Sequence, residues 1–135
     1  MKLSIGILAH NEADAIGFAH APRIATLLQS LSQQSLLTSL NKGYSIEIIV
    51  VPNGCNDNTS LIARDTLGKL TLEKDRALWN WKVCEVAEAG KSNAWNLFIH
   101  EFAAPDVDFF CLMDADIQLH DRNALEKMLK VLVEN

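Results

Sequence analysis

Two aspartates two residues apart, Asp114 and Asp116, directly follow the apolar run Phe109 to Met113. Hard divalent cations such as Mg²⁺ take oxygen ligands, and proteins commonly hold them with one or two carboxylates together with substrate phosphates. An Asp-x-Asp at the end of a buried strand would supply that minimal site. The alternative is a solvated turn, because aspartates favour turns and helix caps. The motif predicts a divalent-metal site, and the neighbouring segments decide between the two interpretations.

Polar residues also follow three other apolar runs. Asn11 and Glu12 could hydrogen-bond the edge of a base or ribose, or Asn11 could cap a helix with Glu12 in its first turn. His10 could stack on a flat base or be a half-exposed loop residue. Asn53 comes immediately after a strongly apolar run, facing the same presumed crevice. Lys91 could approach a diphosphate as a point charge, with a solvated surface lysine as the alternative.

The segment after Asn53 is rich in turn and capping residues. Gly54 can take a positive φ, and Asp57 and Thr59 precede a segment with helical character. For these two residues helix capping is favoured over direct contact with a ligand.

Four apolar runs of strand length must position these residues: Leu3 to Leu8, Ile46 to Val51, Trp81 to Ala87, and Asp108 to Met113. The second and fourth are almost continuously apolar, which predicts strands covered on both faces of a parallel sheet. Segments with helical spacing separate the runs. Three of them carry apolar stripes: Ile24, Leu27, Leu28 and Leu31; Ala94, Leu97, Phe98 and Phe102; and Leu125, Met128, Leu129 and Leu132. The pattern of Leu61, Ile62, Asp65 and Leu72 is less regular, and Gly68 weakens its middle.

The alternation of strands and helices predicts an α/β, Rossmann-like layer structure, with a mainly parallel sheet of about four strands flanked by helices. In such open sheets, ligands bind beyond the carboxyl ends of the strands, where the strand order reverses. The polar residues that follow the four runs are therefore expected to meet at one edge of the sheet.

Composition narrows the class of protein. The 135 residues fit one domain, and 49% hydrophobic with 21% charged residues indicates a globular chain. With 17 acidic and 12 basic residues the formal net charge is −5, so nucleic acid is not an expected partner. A nucleotide is still compatible with this charge, because a metal ion and backbone amides can carry phosphate.

Cysteine usage and hydropathy together predict the cellular compartment in which the protein works. Cys55, Cys84 and Cys111 show no C-x-x-C spacing, which argues against a disulfide framework and favours a reducing cytoplasm. No apolar stretch approaches the roughly 20 residues that span a bilayer. A cytoplasmic location without a transmembrane segment is expected, although a protein working at the inner membrane surface could contain this domain.

In the order of its motifs, the chain resembles the nucleotide-binding half of a family 2 glycosyltransferase with the GT-A fold. The residues that carry this resemblance are Ser4 to Glu12, Ser30-Leu31 with Gln34, Glu47 to Thr59, Gly90-Lys91 with Asn96, and Phe109 to Asp116. They cover nearly the whole chain, and an extra run around Phe18 to Pro22 looks like a local insertion.

The resemblance implies transfer of a sugar from a nucleotide-diphospho-sugar donor, such as a UDP- or GDP-sugar, with Mg²⁺ or Mn²⁺ at the Asp-x-Asp. Carried across, Asp116 would hold the metal, and Asp114 would contact ribose or a metal-bound water. His10 takes the place of a tyrosine that packs on the base, and Asn11 with Glu12 matches the family's Asn-Glu.

The remaining positions of the resemblance concern the base and the diphosphate. Lys91 would sit near the diphosphate. Where the family has Asp-Asp-Gly-Ser, this chain has Pro-Asn-Gly-Cys, from Pro52 to Cys55. Asn53 can both donate and accept hydrogen bonds, so its residue type does not by itself predict a preference for a uracil base.

Length sets a further expectation. The chain stops one helix after Asp116, whereas the family's acceptor half and catalytic base lie later. Inverting transfer needs such a base as well as a metal. Residues 1–135 are therefore expected to be a single donor-binding domain, truncated after the Asp-x-Asp motif, with the catalytic residue unknown.

Two other functions remain open. The first is a catalytically silent interaction or regulatory module, for which an open sheet edge predicts a homodimer. The second is a nucleotidyltransferase, although those enzymes usually begin with a glycine-rich basic loop that Ala9 to Glu12 does not match.

Overall fold

The computed structural model describes residues 1–14, 21–38, 43–72 and 79–134. Within these ranges the strands are β1 (Lys2–Ala9), β2 (Ser45–Pro52), β3 (Trp79–Val83) and β4 (Phe109–Asp114). The helices are α1 (Arg23–Ser32), α2 (Ser35–Thr38), α3 (Thr59–Leu72), α4 (Lys91–Leu97) and α5 (Ala124–Glu134), and a π-helical turn, Phe98–Phe102, continues α4. Three of the five residues of the predicted insertion, 18–20, lie outside the described residues.

The four strands form one parallel sheet in the order β3-β2-β1-β4. This confirms the predicted α/β layer structure. The chain builds outward from β1 to β3 on one side and then returns to place β4 on the other side of β1. The order therefore reverses between β1 and β4, which is where ligands bind in open sheets of this kind.

The core confirms the strongest sequence patterns. Seven of the eight residues of β2 are buried, as expected for a central strand with both faces covered. On α1, the whole predicted stripe is buried. These residues pack with β1 in the larger of two apolar clusters. They are Ile24, Leu27, Leu28 and Leu31.

The pattern predicted for α3 is wrong at two positions. Leu61 and Leu72 are 66% and 86% exposed, whereas Ile62 is partly buried against the core. The residues that are buried instead share one helix face, because they are spaced by three, four and seven positions. The residues buried instead are Thr59, Ala63, Thr66 and Leu67.

A glycine lets α4 and its π-helical extension pack closely on β1. Ala94 and Phe98 of the predicted stripe are buried. A Cβ built on Gly6 would lie 2.7 Å from the ring of Phe98, so only glycine leaves room for that ring. The Phe98 ring also meets that of Phe110 edge to face, with centroids 5.8 Å apart.

Two strand predictions need correction. The third strand is Trp79–Val83 rather than Trp81 to Ala87, because its ladder with β2 ends at the pair Val50 and Val83. The fourth strand is not covered on both faces. It lies at the edge of the described sheet and alternates in burial, with Phe110 41% and Leu112 37% exposed.

Among the described helices, none combines the length and the apolar character needed to cross a membrane.

Candidate functional site

A cleft of about 240 Å³ lies at the carboxyl ends of β1 and β4, where the strand order reverses. The parallel sheet brings together residues that are up to about 100 positions apart in the sequence. Of the predicted site residues, all but Asn11 line this cleft. The lining comprises Leu8, His10, Glu12, Asn53, Lys91, Asp114, Ala115 and Asp116.

Asn53 joins three elements behind the cleft. Its amide nitrogen donates to the carbonyl of Ala9 at 3.0 Å and to that of Val51 at 3.4 Å. Its side-chain oxygen accepts the backbone N–H of Gly90 at 3.0 Å, and the residue is only 3% exposed. Asn53 therefore fixes the ends of β1 and β2 against the start of α4, and most of its hydrogen-bonding capacity is used within the protein.

The ring of His10 is oriented by one backbone contact. Its Nδ1 lies 2.8 Å from the carbonyl oxygen of Asn53. Because a carbonyl only accepts, Nδ1 carries the hydrogen in this contact, and in the neutral ring Nε2 is the acceptor. Nε2 lies 3.4 Å from the side-chain nitrogen of Asn11. The ring itself is exposed, so its face is available to a ligand.

Asn11 does not cap a helix, so that interpretation is wrong, as is the placement of Glu12 in a first helical turn. Residues 11–14 are not helical, the first described helix begins at Arg23, and Asn11 adopts the left-handed region with φ 51°. Asparagine tolerates this conformation better than most residues. Its side-chain oxygen accepts the N–H of Asn56 at 2.9 Å, which ties the loop after β1 to the loop after β2.

Capping by Asp57 is confirmed. Its carboxylate accepts the N–H of Thr59 at 3.0 Å and the Thr59 hydroxyl, and also the N–H of Ala13 at 3.2 Å. Thr59 in turn accepts the N–H of Glu12 at 2.9 Å. Burial alone would raise the pKa of Asp57, but the hydrogen bonds from Thr59 and Ala13 outweigh it and hold the pKa below its usual range.

Glu12 is the least exposed carboxylate of the cleft. Its side chain is 18% exposed and its Oε2 lies 3.2 Å from Nε of Arg23. Burial raises the pKa of Glu12, the Arg23 charge opposes this, and the carboxylates of Asp116 and Asp57 add to it. The influence of Asp116 shows that the cleft brings two acidic side chains close together.

Asp114 and Asp116 project from a turn whose backbone is anchored. Ala115 between them is 1% exposed, and its N–H donates to the carbonyl of Leu8 at 3.1 Å. Both carboxylates are exposed. Nζ of Lys91 lies 3.0 Å from Oδ1 of Asp114, with the two side chains 74% and 49% exposed.

The described part of the chain holds no group of three or more His, Cys, Asp or Glu side chains arranged to bind a metal ion. Among these described residues, a cation therefore meets at most two suitably placed carboxylates in this cleft. Mg²⁺ is commonly bound by one or two carboxylates when substrate phosphates and water complete the coordination.

Sequence reasoning missed two charged residues, one that pairs with Glu12 of this cleft and one that lines a second cleft. Arg23 forms an ion pair with Glu12, which lies earlier in the chain, and sequence patterns do not predict such a pair. Glu85 was placed inside a strand because the third strand was assigned too late in the chain. It lies instead in a second cleft, of about 340 Å³, formed between the end of β2 and the start of α3 and lined also by Pro52, Cys55 and Ser60.

The chain matches the model of glycosyl transferase family 2 over residues 4–135 and belongs to that family. It is 32% identical over 132 residues to 4,4'-diaponeurosporenoate glycosyltransferase of Staphylococcus haemolyticus, covering 96% of this chain and 28% of that protein.

Among solved structures, it is similar to the mannosyltransferase PcManGT of Pyrobaculum calidifontis in complex with GDP-Man and Mn²⁺. The TM-score is 0.73 at 21% identity, over 96% of this chain and 32% of that one. The predicted GT-A fold is thereby confirmed. The chain spans about a third or less of the length of both proteins.

Proposed function

We propose that this chain binds a nucleotide-diphospho-sugar donor together with a divalent cation, for glycosyl transfer to an acceptor. The observation that carries the proposal is the cleft at the switch point between β1 and β4, which is lined by His10, Glu12, Lys91, Asp114 and Asp116. Membership of glycosyltransferase family 2 supports it, as does the likeness in fold to a mannosyltransferase solved with GDP-Man and Mn²⁺.

The donor set of the cleft fits a hard cation. Asp114 and Asp116 are exposed carboxylates on a turn held in place by the buried Ala115, so their oxygens face outward without a change in the backbone. Such oxygens suit Mg²⁺ or Mn²⁺. In this proposal Asp116 holds the metal, and Asp114 contacts ribose or a metal-bound water. A cation bound there would supply charge stabilisation for the leaving diphosphate.

The other residues of the cleft each contact a different part of the nucleotide. The exposed ring of His10 packs on the base, with its orientation set by the carbonyl of Asn53. Glu12 offers a carboxylate to the ribose, with Asn11 holding the loop around it. Lys91 meets the diphosphate as a point charge. Asn53 acts mainly by holding Gly90, the residue before Lys91.

A thermal-shift panel tests this proposal. We expect one of UDP, GDP, ADP and CDP to raise the melting temperature only with Mn²⁺, and Asp116→Asn to abolish the rise, because the variant loses a metal ligand. Asp121→Asn is the matched control, since Asp121 is an exposed aspartate that pairs with Lys127 on α5. Its rise should equal that of the wild type.

A second candidate function rests on the exposed apolar residues of β4. Phe110 and Leu112 lie at the edge of the described sheet, which would suit a catalytically silent interaction module or a homodimer. If every nucleotide fails to shift the melting temperature, size-exclusion chromatography at high concentration distinguishes a dimer from a monomer.

A further inference from the structure

Lys91 lies beside Asp114 in the cleft, where the proposed function also places the diphosphate. It is the first residue of α4, and its ammonium group reaches across the cleft to Asp114 at the end of β4. One positive charge thus already lies at Asp114, close in sequence to Asp116, the carboxylate proposed to hold a divalent cation. A divalent cation arriving there meets repulsion from Lys91.

We propose that Lys91 is a positioning counterion that exchanges partners, so that the divalent cation and the nucleoside diphosphate bind cooperatively. Lys91 neutralises Asp114 before the donor arrives and moves to the diphosphate when the donor binds, which lowers the repulsion of a cation at Asp116 and frees Asp114 for ribose or a metal-bound water. This inference rests on the proposed function, and it adds an order and a coupling to binding.

The exchange has a small cost in free energy. An ion pair as exposed as Lys91 and Asp114 contributes little to stability, so breaking it costs little. A lysine has a flexible four-carbon stem and three rotatable donors, which suit a change of partner. The backbone stays fixed meanwhile, because Asn53 holds the N–H of Gly90 directly before Lys91.

The chain contains a matched control for this role. Lys127 on α5 forms an ion pair with Asp121 at 2.8 Å, and the two side chains are 69% and 50% exposed. That pair closely resembles the Lys91–Asp114 pair in length and exposure, and it lies outside the described lining of the cleft. Lys91→Gln and Lys127→Gln change the net charge equally, so their difference isolates the effect of location.

The experiment measures the affinity for Mn²⁺ by the paramagnetic resonance of the free ion, without nucleotide and with saturating GDP or UDP. In the wild type we expect nucleotide to tighten Mn²⁺ binding. In Lys91→Gln we expect binding of Mn²⁺ alone to tighten about three- to fivefold, in line with the loss of an exposed competing charge, and the enhancement by nucleotide to shrink. Lys127→Gln should behave as the wild type does.

Different results would overturn the two proposals. Wild-type-like affinity of Lys91→Gln for Mn²⁺ alone, or an undiminished enhancement by nucleotide, overturns the exchange by Lys91 and leaves donor binding intact. Equal changes in Lys91→Gln and Lys127→Gln also overturn it, because they indicate a general charge effect. If neither GDP nor UDP changes Mn²⁺ binding in any of the proteins, and ADP and CDP also fail to shift the melting temperature, the proposed function fails, and the inference fails with it.

Discussion

The two sides of the cleft are built differently. On the side of β1 and β2, three side chains hold the loops through hydrogen bonds to other groups of the protein. They belong to Asn53, Asp57 and Thr59. On the side of β4, Asp114 and Asp116 are exposed, and Asp114 is held by an ion pair to Lys91 that is itself largely exposed.

This difference separates two tasks. Buried polar groups need their partners within the fold, and losing one is costly because the other is left unsatisfied. Exposed carboxylates contribute little to stability and keep their oxygens available. Asn53, Asp57 and Thr59 on the side of β1 and β2 therefore give the cleft its shape, and Asp114 and Asp116 on the side of β4 keep their oxygens available to a ligand. Substitutions of the first three residues should affect folding, and substitutions of the two aspartates on the side of β4 should affect binding.

The largest expected effect on stability is that of Gly54→Ala. Gly54 has a φ of +59°, and a Cβ added there would lie 2.5 Å from the Cβ of Ala89. Strain at positive φ and the clash together should lower the free energy of unfolding by about 3 kcal/mol, measured by denaturant titration.

Gly68→Ala is the control for Gly54→Ala. Gly68 lies inside α3, and among the described residues an added Cβ would meet nothing within 4 Å. Alanine is the better helix former, so the control should stabilise the protein by roughly 0.5–1 kcal/mol. A Gly54→Ala protein as stable as the wild type would contradict the rigid packing described for this side.

Asp57→Ala should have an intermediate effect. It removes the acceptor at the start of α3 and should cost about 1 kcal/mol at neutral pH, measured in the same titration. Because the folded-state pKa of Asp57 is lowered, its contribution is present above the unfolded-state pKa, about 4, and is lost as pH falls through the folded-state value. The difference between variant and wild type should therefore shrink at acid pH.

Asp65→Ala is the matched variant on the same helix. Asp65 forms an exposed pair with Lys69 at 3.0 Å, and that pair is four residues apart on α3. Its removal should change stability by no more than about 0.5 kcal/mol. Equal losses in both aspartate variants would show that Asp57 acts through general charge rather than through capping.

The smallest effect is expected on the side of β4. Asp114→Asn breaks an ion pair in which the carboxylate is 49% exposed, so the free energy of unfolding should change by less than about 0.5 kcal/mol. The same denaturant titration measures it. A loss above about 1 kcal/mol would show that Asp114 belongs to the structural side, and the contrast between the two sides would no longer hold.

The sequence predicted best those features that depend on burial alone. The continuous apolar run of β2 and the stripe of α1 were assigned correctly because a central strand and a core-facing helix follow simple periodicities. Parallel topology then placed the residues after β1, β2 and β4 at one edge. The grouping of Glu12, Lys91 and Asp116 in one cleft followed from that topology.

What the sequence did not reveal depends on the exact geometry of the backbone. The buried face of α3 carries Ala63 and Leu67 rather than Leu61. The left-handed conformation of Asn11 turned a predicted helix cap into a bridge between loops. The internal hydrogen bonds of Asn53 depend on how closely α4 approaches β2, and this distance is set by tertiary packing rather than by residue type.

The central place of β1 also affects how the chain can fold. Its two neighbours are β2 and β4, and the pairing of Leu3 with Phe109 joins residues about 100 positions apart in the chain. Closing so long a loop costs entropy before the contact contributes, and folds rich in such contacts form slowly. On the ribosome, β1 and β2 emerge well before β4, so the cleft between β1 and β4 is completed only when the last described strand arrives.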